Sequence, residues 1–341
     1  ALDKEKYEPV LIGIDKEGKW HRSSGADYLL NSENPKLIAL NKQVSEEVGL
    51  LTGEKRELAV VETGEKQPLD VVFPVLHGPL GEDGTEQGLL KLIGIPFVGP
   101  SVLGSAIGMD KDVQKRLLRD ARIPIARFIV LHSGSSPFEK GSTRRLLPAL
   151  MLRQAGRREG FSFLDAVKKL GLPMFVKPAN AGSSVGVSKV KNESEFKVAV
   201  KDAFRYDGKI LIEEAIDGRE IECAVLGNEN PIASVPGEVK PNHEFYSYEA
   251  KYIDENGAAC EVPAKLSAKL TKKVQETALA AFKILECEGM ARVDMFVSKD
   301  GRVLVNEINT IPGFTQISMY PKLWEASGLP YPKLIDRLIE L

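Results

Sequence analysis

The stretch Gly289–Phe314 reads GMARVDMFVSKDGRVLVNEINTIPGF and predicts a β-hairpin that turns at Asp300-Gly301. An Asp-Gly pair favours a two-residue type I′ turn, which would set Lys299 opposite Arg302. Apolar residues alternate with polar ones on both sides of the turn. The pattern therefore predicts two antiparallel strands in a sheet that is covered on both faces.

This register also brings polar side chains together on one face of the hairpin. Asp294 would face Glu307 and Arg292 would face Asn309, because side chains alternate along a strand. Two neighbouring carboxylates repel and are costly to bury, so a cation must compensate them. Two carboxylates and an amide suit Mg²⁺ shared with phosphates. The alternatives are that one carboxylate reaches solvent while the other pairs with Arg292, or that the register slips and separates the acids.

Composition sets broad limits on the chain. Its 341 residues are 43% hydrophobic and 28% charged, which excludes a disordered chain, a collagen or a coiled coil and predicts two or three domains. The net charge of −2 lacks the overall basic field of a nucleic-acid binder. No apolar run approaches the ~20 residues that cross a bilayer. We therefore expect neither a nucleic-acid nor a membrane partner.

A second feature is the Gly/Ser-rich segment KPANAGSSVGV, which begins at Lys177 and follows an apolar strand. Backbone N–H groups and hydroxyls of Ser183, Ser184 and Gly186 could surround phosphate oxygens. The segment is neither a Walker A loop nor a GxGxxG fingerprint. Alone it also fits an ordinary turn between two strands, and the phosphate interpretation depends on the nearby carboxylate hairpin.

Two further segments carry candidate ligand-binding residues. In LIEEAIDGREIE, Glu213 and Glu214 end an apolar strand and Glu220 follows, so these acids could bind an adenine amino group and ribose hydroxyls. The alternative is a set of solvated loop acids. His77 lies at the end of the apolar run Asp70–Gly78 and precedes a Gly-rich loop, which is where α/β sheets bind ligands. The alternative is a structural histidine.

The order of elements indicates an α/β protein with α+β elements. The segment 133–161 is rich in Gly, Ser and Arg and is predicted to be an exposed insertion without assigned chemistry. The chain opens with ALDKEKYEPVLIGID, where a first strand and substrate loop would be expected. We expect that first unit to be missing.

These segments together resemble motifs of the D-alanine–D-alanine ligases, a family of the ATP-grasp superfamily. The motifs occur in family order: HGPLGEDGTEQG, MDKDVQKRLLRDA, LPMFVKPANAGSSVGVSKV, GREIECAVLGN, FYSYEAKY, GMARVDMF and NEINTIPGFTQISMYPKLW. The resemblance implies an ATP-grasp fold with an N-terminal Rossmann-like parallel-sheet domain. It implies a division into an N-terminal substrate domain (1–108), a central ATP-grasp subdomain (109–216) and a C-terminal catalytic domain (217–341).

The resemblance implies ligation of two D-alanines with ATP and Mg²⁺ through an acyl phosphate, for peptidoglycan precursor synthesis in a bacterial cytoplasm. It implies two metal ions, with Mn²⁺ as a possible substitute, and a homodimer. D-Lactate or D-serine is the alternative acceptor, and a nucleotide-binding protein without turnover is the alternative class. The family's first strand carries a GGxSxEHxVS loop, and we expect this unit to be missing here.

By the same resemblance, each site residue has an expected role. The nucleotide would be held by Lys111, Lys177, Ser184, Gly186, Glu213, Glu214, Ala215, Ile216, Glu220, Lys251 and Asn306. Mg²⁺ would be held by Asp294, Glu307 and Asn309. The catalytic residues would be Arg292, Gly313, Ser183 and Tyr252. His77 would lie beside the first D-alanine and Ser318 would bind the carboxylate of the second. The Tyr252 ring resembles the form of the loop that accepts D-alanine, whereas depsipeptide-forming relatives carry a His-containing loop.

Overall fold

The computed structural model describes residues 2–23, 29–30, 39–41, 44–51, 56–133, 161–241, 258–315 and 318–341. Helices and mainly antiparallel sheets share these residues, which confirms the predicted mixed α/β class. Within the described ranges, no helix is long and apolar enough to cross a membrane.

The strands fall into three larger sheets and one two-stranded pair. In chain order they are β1 (Leu11–Ile14), β2 (Trp20–Ser23), β3 (Leu29–Leu30), β4 (Ala39–Leu40), β5 (Ser45–Leu50), β6 (Glu57–Val60), β7 (Lys66–Pro68), β8 (Phe128–His132), β9 (Met174–Pro178), β10 (Ser188–Val190), β11 (Lys209–Glu214), β12 (Gly218–Leu226), β13 (Ile232–Ala233), β14 (Gly237–Pro241), β15 (Ala258–Glu261), β16 (Met290–Ser298) and β17 (Val303–Asn309). The helices are α1 (Thr85–Leu92), α2 (Val102–Met109), α3 (Lys111–Asp120), α4 (Phe163–Leu170), α5 (Glu193–Ala203), α6 (Ala268–Ile284), α7 (Met319–Ala326) and α8 (Tyr331–Glu340).

The N-terminal sheet has the order β1-β2-β5-β6-β7, and each of its pairs is antiparallel. The prediction of a Rossmann-like parallel sheet is therefore wrong for the described part of residues 1–108. Parallel pairing there is reduced to one bridge between Val72 and Phe97, on either side of α1. Prolines give the physical reason, because Pro74 and Pro96 interrupt these two apolar runs and donate no N–H to a ladder.

The central sheet has the order β10-β9-β11-β8, and α4 and α5 cover one of its faces. Phe196 and Val200 of α5 pack with Val176 and Ile212 of the sheet in a buried core. Lys177 and Glu213 alternate with these apolar residues and therefore point to the opposite face. Residues 134–160, most of the predicted insertion, lie outside the described residues.

The C-terminal sheet has the order β15-β14-β12-β16-β17, with β13 paired to β12. The long helix α6 packs against one face, where Phe282 and Ala278 meet Val225 and Val293 in the largest core. Helices α7 and α8 cover part of the other face, and the Tyr320 hydroxyl donates to the Val225 carbonyl at 2.9 Å. The remainder of that face carries the charged residues of the hairpin.

The hairpin confirms the predicted pairing of Asp294 with Glu307 and of Arg292 with Asn309. Its turn differs from the prediction, because Ser298 rather than Lys299 faces Arg302. The loop therefore holds three residues, and Gly301 supplies the required left-handed conformation at φ 76°.

A β-bulge between Asp294 and Met295 compensates for the longer turn. Asp294 pairs with Glu307, whereas Met295 pairs with Val305, which leaves Asn306 as the extra residue of β17. The bulge shifts the register by one residue, opposite in sense to the shift caused by the turn. The two acids consequently face each other although the predicted turn was wrong.

Candidate active site

A cavity of about 740 Å³ lies between the central sheet and the C-terminal sheet. This volume suits a ligand of the size of a nucleotide. Twelve residues that were singled out from the sequence line it, and they come from both sheets, from the Gly/Ser-rich segment and from the start of α3. They are Lys111, Lys177, Ser183, Ser184, Glu213, Glu214, Ala215, Ile216, Glu220, Asp294, Asn306 and Glu307.

The two acids of the hairpin each have a cationic partner. Arg292 donates from Nε to Asp294 Oδ1 at 2.7 Å and from Nη2 to Asp294 Oδ2 at 2.8 Å. Asn309 Nδ2 donates to Asp294 Oδ2 at 2.9 Å. Lys111 Nζ lies 3.3 Å from Glu307 Oε2. Asp294 therefore pairs with Arg292 as in the alternative interpretation, but Glu307 contacts Lys111 and is not left to solvent alone.

Sequence reasoning missed a third acid in the same row. Glu222 of β12 pairs directly with Asp294 of β16, and its Oε2 lies 3.0 Å from Arg292 Nε. Burial opposes a charged guanidinium, but Asp294 and Glu222 outweigh it and raise the pKa of Arg292 well above its usual value. Arg292 is thus a permanent cation shared by two carboxylates. The row Glu222, Asp294, Glu307 could have been found by extending the hairpin register to β12.

A second charged cluster lies on the central sheet. Glu213 is buried, with Lys177 Nζ 2.7 Å from its Oε2 and Lys115 Nζ 3.1 Å from its Oε1. Burial alone would raise the pKa of Glu213, but the two ammonium groups outweigh it and lower that pKa. Lys115 was missed in the sequence analysis. Its signal is the spacing from Lys111, since residues four apart lie on one face of a helix.

The Gly/Ser-rich segment forms a tight turn beside Lys111, whose Nζ donates to the Ala181 carbonyl at 2.9 Å. Ser183 and Ser184 both have left-handed backbones, at φ 53° and 60°, which non-glycine residues seldom adopt. Gly186 stands outside the cavity lining at φ 68°, and a Cβ there would lie 2.7 Å from the Tyr206 ring. Close packing therefore explains this glycine.

The segment that joins the two sheets is fixed at several points. Glu214 accepts hydrogen bonds from Arg127 N at 2.8 Å and Nε at 2.6 Å, and Ala215 N donates to the Pro173 carbonyl at 3.3 Å. Neither Glu213 nor Glu214 is a solvated loop acid, so that alternative is wrong for both. Glu220 lies on β12 and lines the cavity.

The cavity lining does not include the predicted site residues Arg292, Asn309, His77, Gly313 and Ser318. Ser318 precedes α7, and a Cβ on Gly313 would lie 2.9 Å from the Ser318 Oγ. The imidazole of His77 is desolvated by the protein around it, and together with the positive charge of Arg292 this lowers its pKa, although a hydrogen bond with the Ile311 backbone opposes the shift. Lys251 and Tyr252 lie outside the described residues.

Glu82 was also missed, although it stands within the quoted motif HGPLGEDGTEQG. Its Oε1 accepts from Gly78 N at 2.6 Å and lies 3.5 Å from the position that a Cβ on Gly182 would take. Burial raises the pKa of Glu82, while Lys111 and Arg292 oppose this. The N-terminal part of the chain thus contributes a carboxyl group next to the Gly/Ser-rich turn.

Comparisons with known proteins identify the same family for the N-terminal and the C-terminal parts of the chain. The family model described as D-ala D-ala ligase N-terminus matches residues 1–100, and the one described as D-ala D-ala ligase C-terminus matches residues 146–340. The D-alanine–D-alanine ligase of Oceanobacillus iheyensis is 53% identical over 343 aligned positions, covering 100% of this chain and 87% of that protein.

Two solved ligase structures also superpose on the full length of this chain. The D-alanine–D-alanine ligase from Coxiella burnetii superposes with a TM-score of 0.77 at 39% identity, over 100% of this chain and 85% of that one. The VanG D-Ala:D-Ser ligase from Enterococcus faecalis gives 0.80 at 32% identity, over 100% and 91%. Matches of this extent at both ends of the sequence place the chain in the D-alanine–D-alanine ligase family, whose members are ATP-grasp enzymes.

Proposed function

We propose that this protein joins two D-alanines to D-alanyl-D-alanine, using ATP and Mg²⁺, for peptidoglycan precursor synthesis. ATP would phosphorylate the carboxylate of the first D-alanine, and the amine of the second would displace the phosphate. The observation that carries the proposal is the cavity between two sheets, with lysines on one wall and paired carboxylates on the other. The proposal is also supported by the D-alanine–D-alanine ligase of Oceanobacillus iheyensis, which is 53% identical over the full length of this chain.

The donor set of the hairpin fits a hard divalent cation. Asp294 and Glu307 are adjacent, and the Asn309 amide contacts Asp294. We propose that these three residues hold Mg²⁺, which would shield phosphate charge, with Glu307 bridging two ions and Mn²⁺ able to substitute. Among the described residues, no three His, Cys, Asp or Glu side chains form a metal site by themselves. Asp294 already accepts hydrogen bonds from Arg292 and Asn309, so a metal ion there would share its carboxylate with them.

Lys111 and Lys177 line the cavity, and their positive charges suit the phosphates of a nucleotide. We propose that Lys111 and Lys177 bind phosphate oxygens together with the turn that contains Ser184 and Gly186, and that Lys251 and Asn306 join them. Charge-assisted hydrogen bonds of this type are the strong ones. The joining segment Glu213, Glu214, Ala215 and Ile216 would hold the adenine, with Glu220 on the ribose.

The substrate roles follow from position and charge. Arg292, a fixed cation, would stabilise negative charge that develops on the reacting carboxyl, with the Gly313 N–H beside it. Ser318 stands at the N-terminus of an eight-residue helix, a favourable place for the carboxylate of the second D-alanine. His77 would lie beside the first D-alanine, and Ser183 and Tyr252 would complete the closed site.

Three further expectations belong to this proposal. The chain would divide at residues 108 and 216 into substrate, central and catalytic parts. The separate central and C-terminal sheets support the second boundary, since one ends at Glu214 and the other begins at Gly218. The protein would act in the bacterial cytoplasm, and it would form a homodimer.

The test is phosphate release from ATP and MgCl₂ with D-alanine alone, D-alanine plus D-serine, and D-alanine plus D-lactate, followed by product mass. We expect release that depends on D-alanine and a D-alanyl-D-alanine product in every mixture. A mixed product with D-serine would instead indicate the specificity named for the VanG relative. Binding of ADP without D-alanine-dependent release would contradict the ligase proposal.

A further inference from the structure

Lys115 is a buried charge that the proposed reaction does not explain. Its side chain is 0% exposed, and it lies on α3 one turn after Lys111, away from the cavity lining. Its Nζ is 3.1 Å from Glu213 Oε1, while Lys177 Nζ is 2.7 Å from Glu213 Oε2. The Glu213 and Lys177 side chains are only 6% and 9% exposed. One buried carboxylate therefore serves two ammonium groups.

The charges of this cluster do not cancel. Two ammonium groups and one carboxylate leave one excess positive charge beside the cavity. A buried ammonium is expensive to maintain, because burial lowers the pKa of Lys115 while Glu213 opposes this. Removal of Lys115 would not leave Glu213 alone, because Lys177 still pairs with that carboxylate. Fold stability alone is thus a weak reason for a lysine at position 115. Lys177 lines the cavity and Lys115 does not, so only Lys177 can meet a ligand there directly.

We propose that Lys115 is a positioning residue for nucleotide binding, which keeps Glu213 paired when Lys177 leaves it for the nucleotide phosphates. This inference depends on the proposed function. With Lys115 present, Glu213 retains a cation in either state of Lys177. The ammonium of Lys177 is then available to a phosphate without leaving a buried carboxylate alone.

The same arrangement predicts what happens without Lys115. Glu213 would then have Lys177 as its remaining ammonium partner, and a nucleotide would have to break that buried pair. The apparent affinity falls in proportion to the fraction of molecules in which Lys177 is available. If Lys177 were available in about one molecule in ten, nucleotide binding would weaken about tenfold.

The test compares Lys115→Met with the wild type. ADP binding in MgCl₂ is measured by titration calorimetry, ATP KM and kcat by phosphate release, and melting without nucleotide by fluorescence. We expect an ADP Kd and ATP KM about tenfold higher or more, a kcat within about threefold, and an unchanged melting temperature. The matched control is Arg116→Met, the next residue of α3, whose side chain is 55% exposed. It should bind ADP as the wild type does.

An unchanged ADP Kd in Lys115→Met, with a lowered melting temperature, would show a merely structural ion pair and overturn the proposal. Failure of the wild type to bind ADP would instead contradict the proposed function. If Lys115→Met does not fold by itself, the ADP Kd of Glu213→Gln is compared with that of the double variant Glu213→Gln/Lys115→Met. Without the carboxylate, Lys177 is already free, so adding Lys115→Met should leave the ADP Kd unchanged. A further loss of similar size there would show that Lys115 acts without Glu213 and would refute the inference.

Discussion

Replacing Arg292 by Met removes the cation that is shared by Asp294 and Glu222. The three side chains are 18%, 16% and 11% exposed, and the contacts span 2.7–3.0 Å. Met retains much of the length without the charge. Glu222 and Asp294 are directly opposite on neighbouring strands, where side chains are typically about 5 Å apart, and two carboxylates at that spacing repel by roughly 3 kcal/mol at an effective dielectric of about 20. We expect the free energy of unfolding to fall by about 3 kcal/mol near pH 7.5, in the range found when one partner of a buried pair is removed.

The loss should depend on pH with a defined sign. In the variant, the repelling carboxylates bind protons more readily than they do in the unfolded chain. The folded state then takes up protons as the pH falls, so the destabilisation should shrink near pH 5.

Urea unfolding followed by circular dichroism at both pH values measures this effect. The control is Arg302→Met next to the hairpin loop, where Arg302 and Asp300 are 66% and 59% exposed and little change is expected. The reasoning is refuted if Arg292→Met matches the wild type at pH 7.5, or if its deficit is as large at pH 5.

Three other substitutions test separate parts of the molecule. Glu307→Gln should keep the fold and lower Mg²⁺-dependent ATP turnover by about 100-fold or more, because a charged ligand is lost; turnover near wild type would contradict the metal assignment. Lys177→Ala should weaken ADP binding by about tenfold in calorimetry while ligand-free melting changes little, because Lys115 still neutralises the buried carboxylate; unchanged binding with a large loss of melting temperature would contradict this. Burial raises the pKa of Glu86 from 4.5 to about 7, and its Oε2 has no hydrogen-bond partner in the described part of the chain. The wild type should therefore lose stability as pH rises from about 4.5 to 7, and Glu86→Gln should gain roughly 3 kcal/mol over it at pH 8 but nothing at pH 4; an equal difference at both pH values would refute this.

The sequence predicted the hairpin best, because the alternation of polar and apolar residues along a strand decides which side chains share a face. Alternation of charged and apolar residues placed Asp294 and Glu307 on one face, and the structure pairs them. The turn was predicted wrongly, because Asp-Gly also suits a three-residue loop with Gly301 in the left-handed conformation. A bulge depends on packing across two strands, which no short pattern in the sequence expresses.

Other features depend on tertiary packing and could not be predicted from the sequence pattern. The apolar runs around Val72 and Phe97 look like strands, yet each contains or adjoins a proline and pairs by a single parallel bridge. Lys115 looks like one of many helix lysines, and only tertiary packing shows that it is fully buried against Glu213. Polar residues are normally exposed, so burial of a lysine is seldom predictable from sequence alone.

The bulge at Asn306 separates the hairpin into two parts with independent alignment. On the loop side, Val297 faces Val303, whereas beyond the bulge Arg292 faces Asn309, and the two alignments differ by one residue. An insertion at the loop tip, between Asp300 and Gly301, would lengthen the loop and leave the pairing of Val297 with Val303, and of the acids beyond it, in its present register. The tip is also exposed, and nothing lies within 4 Å of a Cβ at Gly301. For protein engineering, this tip is a place on the C-terminal sheet to graft a tag or an affinity peptide without disturbing the alignment of the carboxylates.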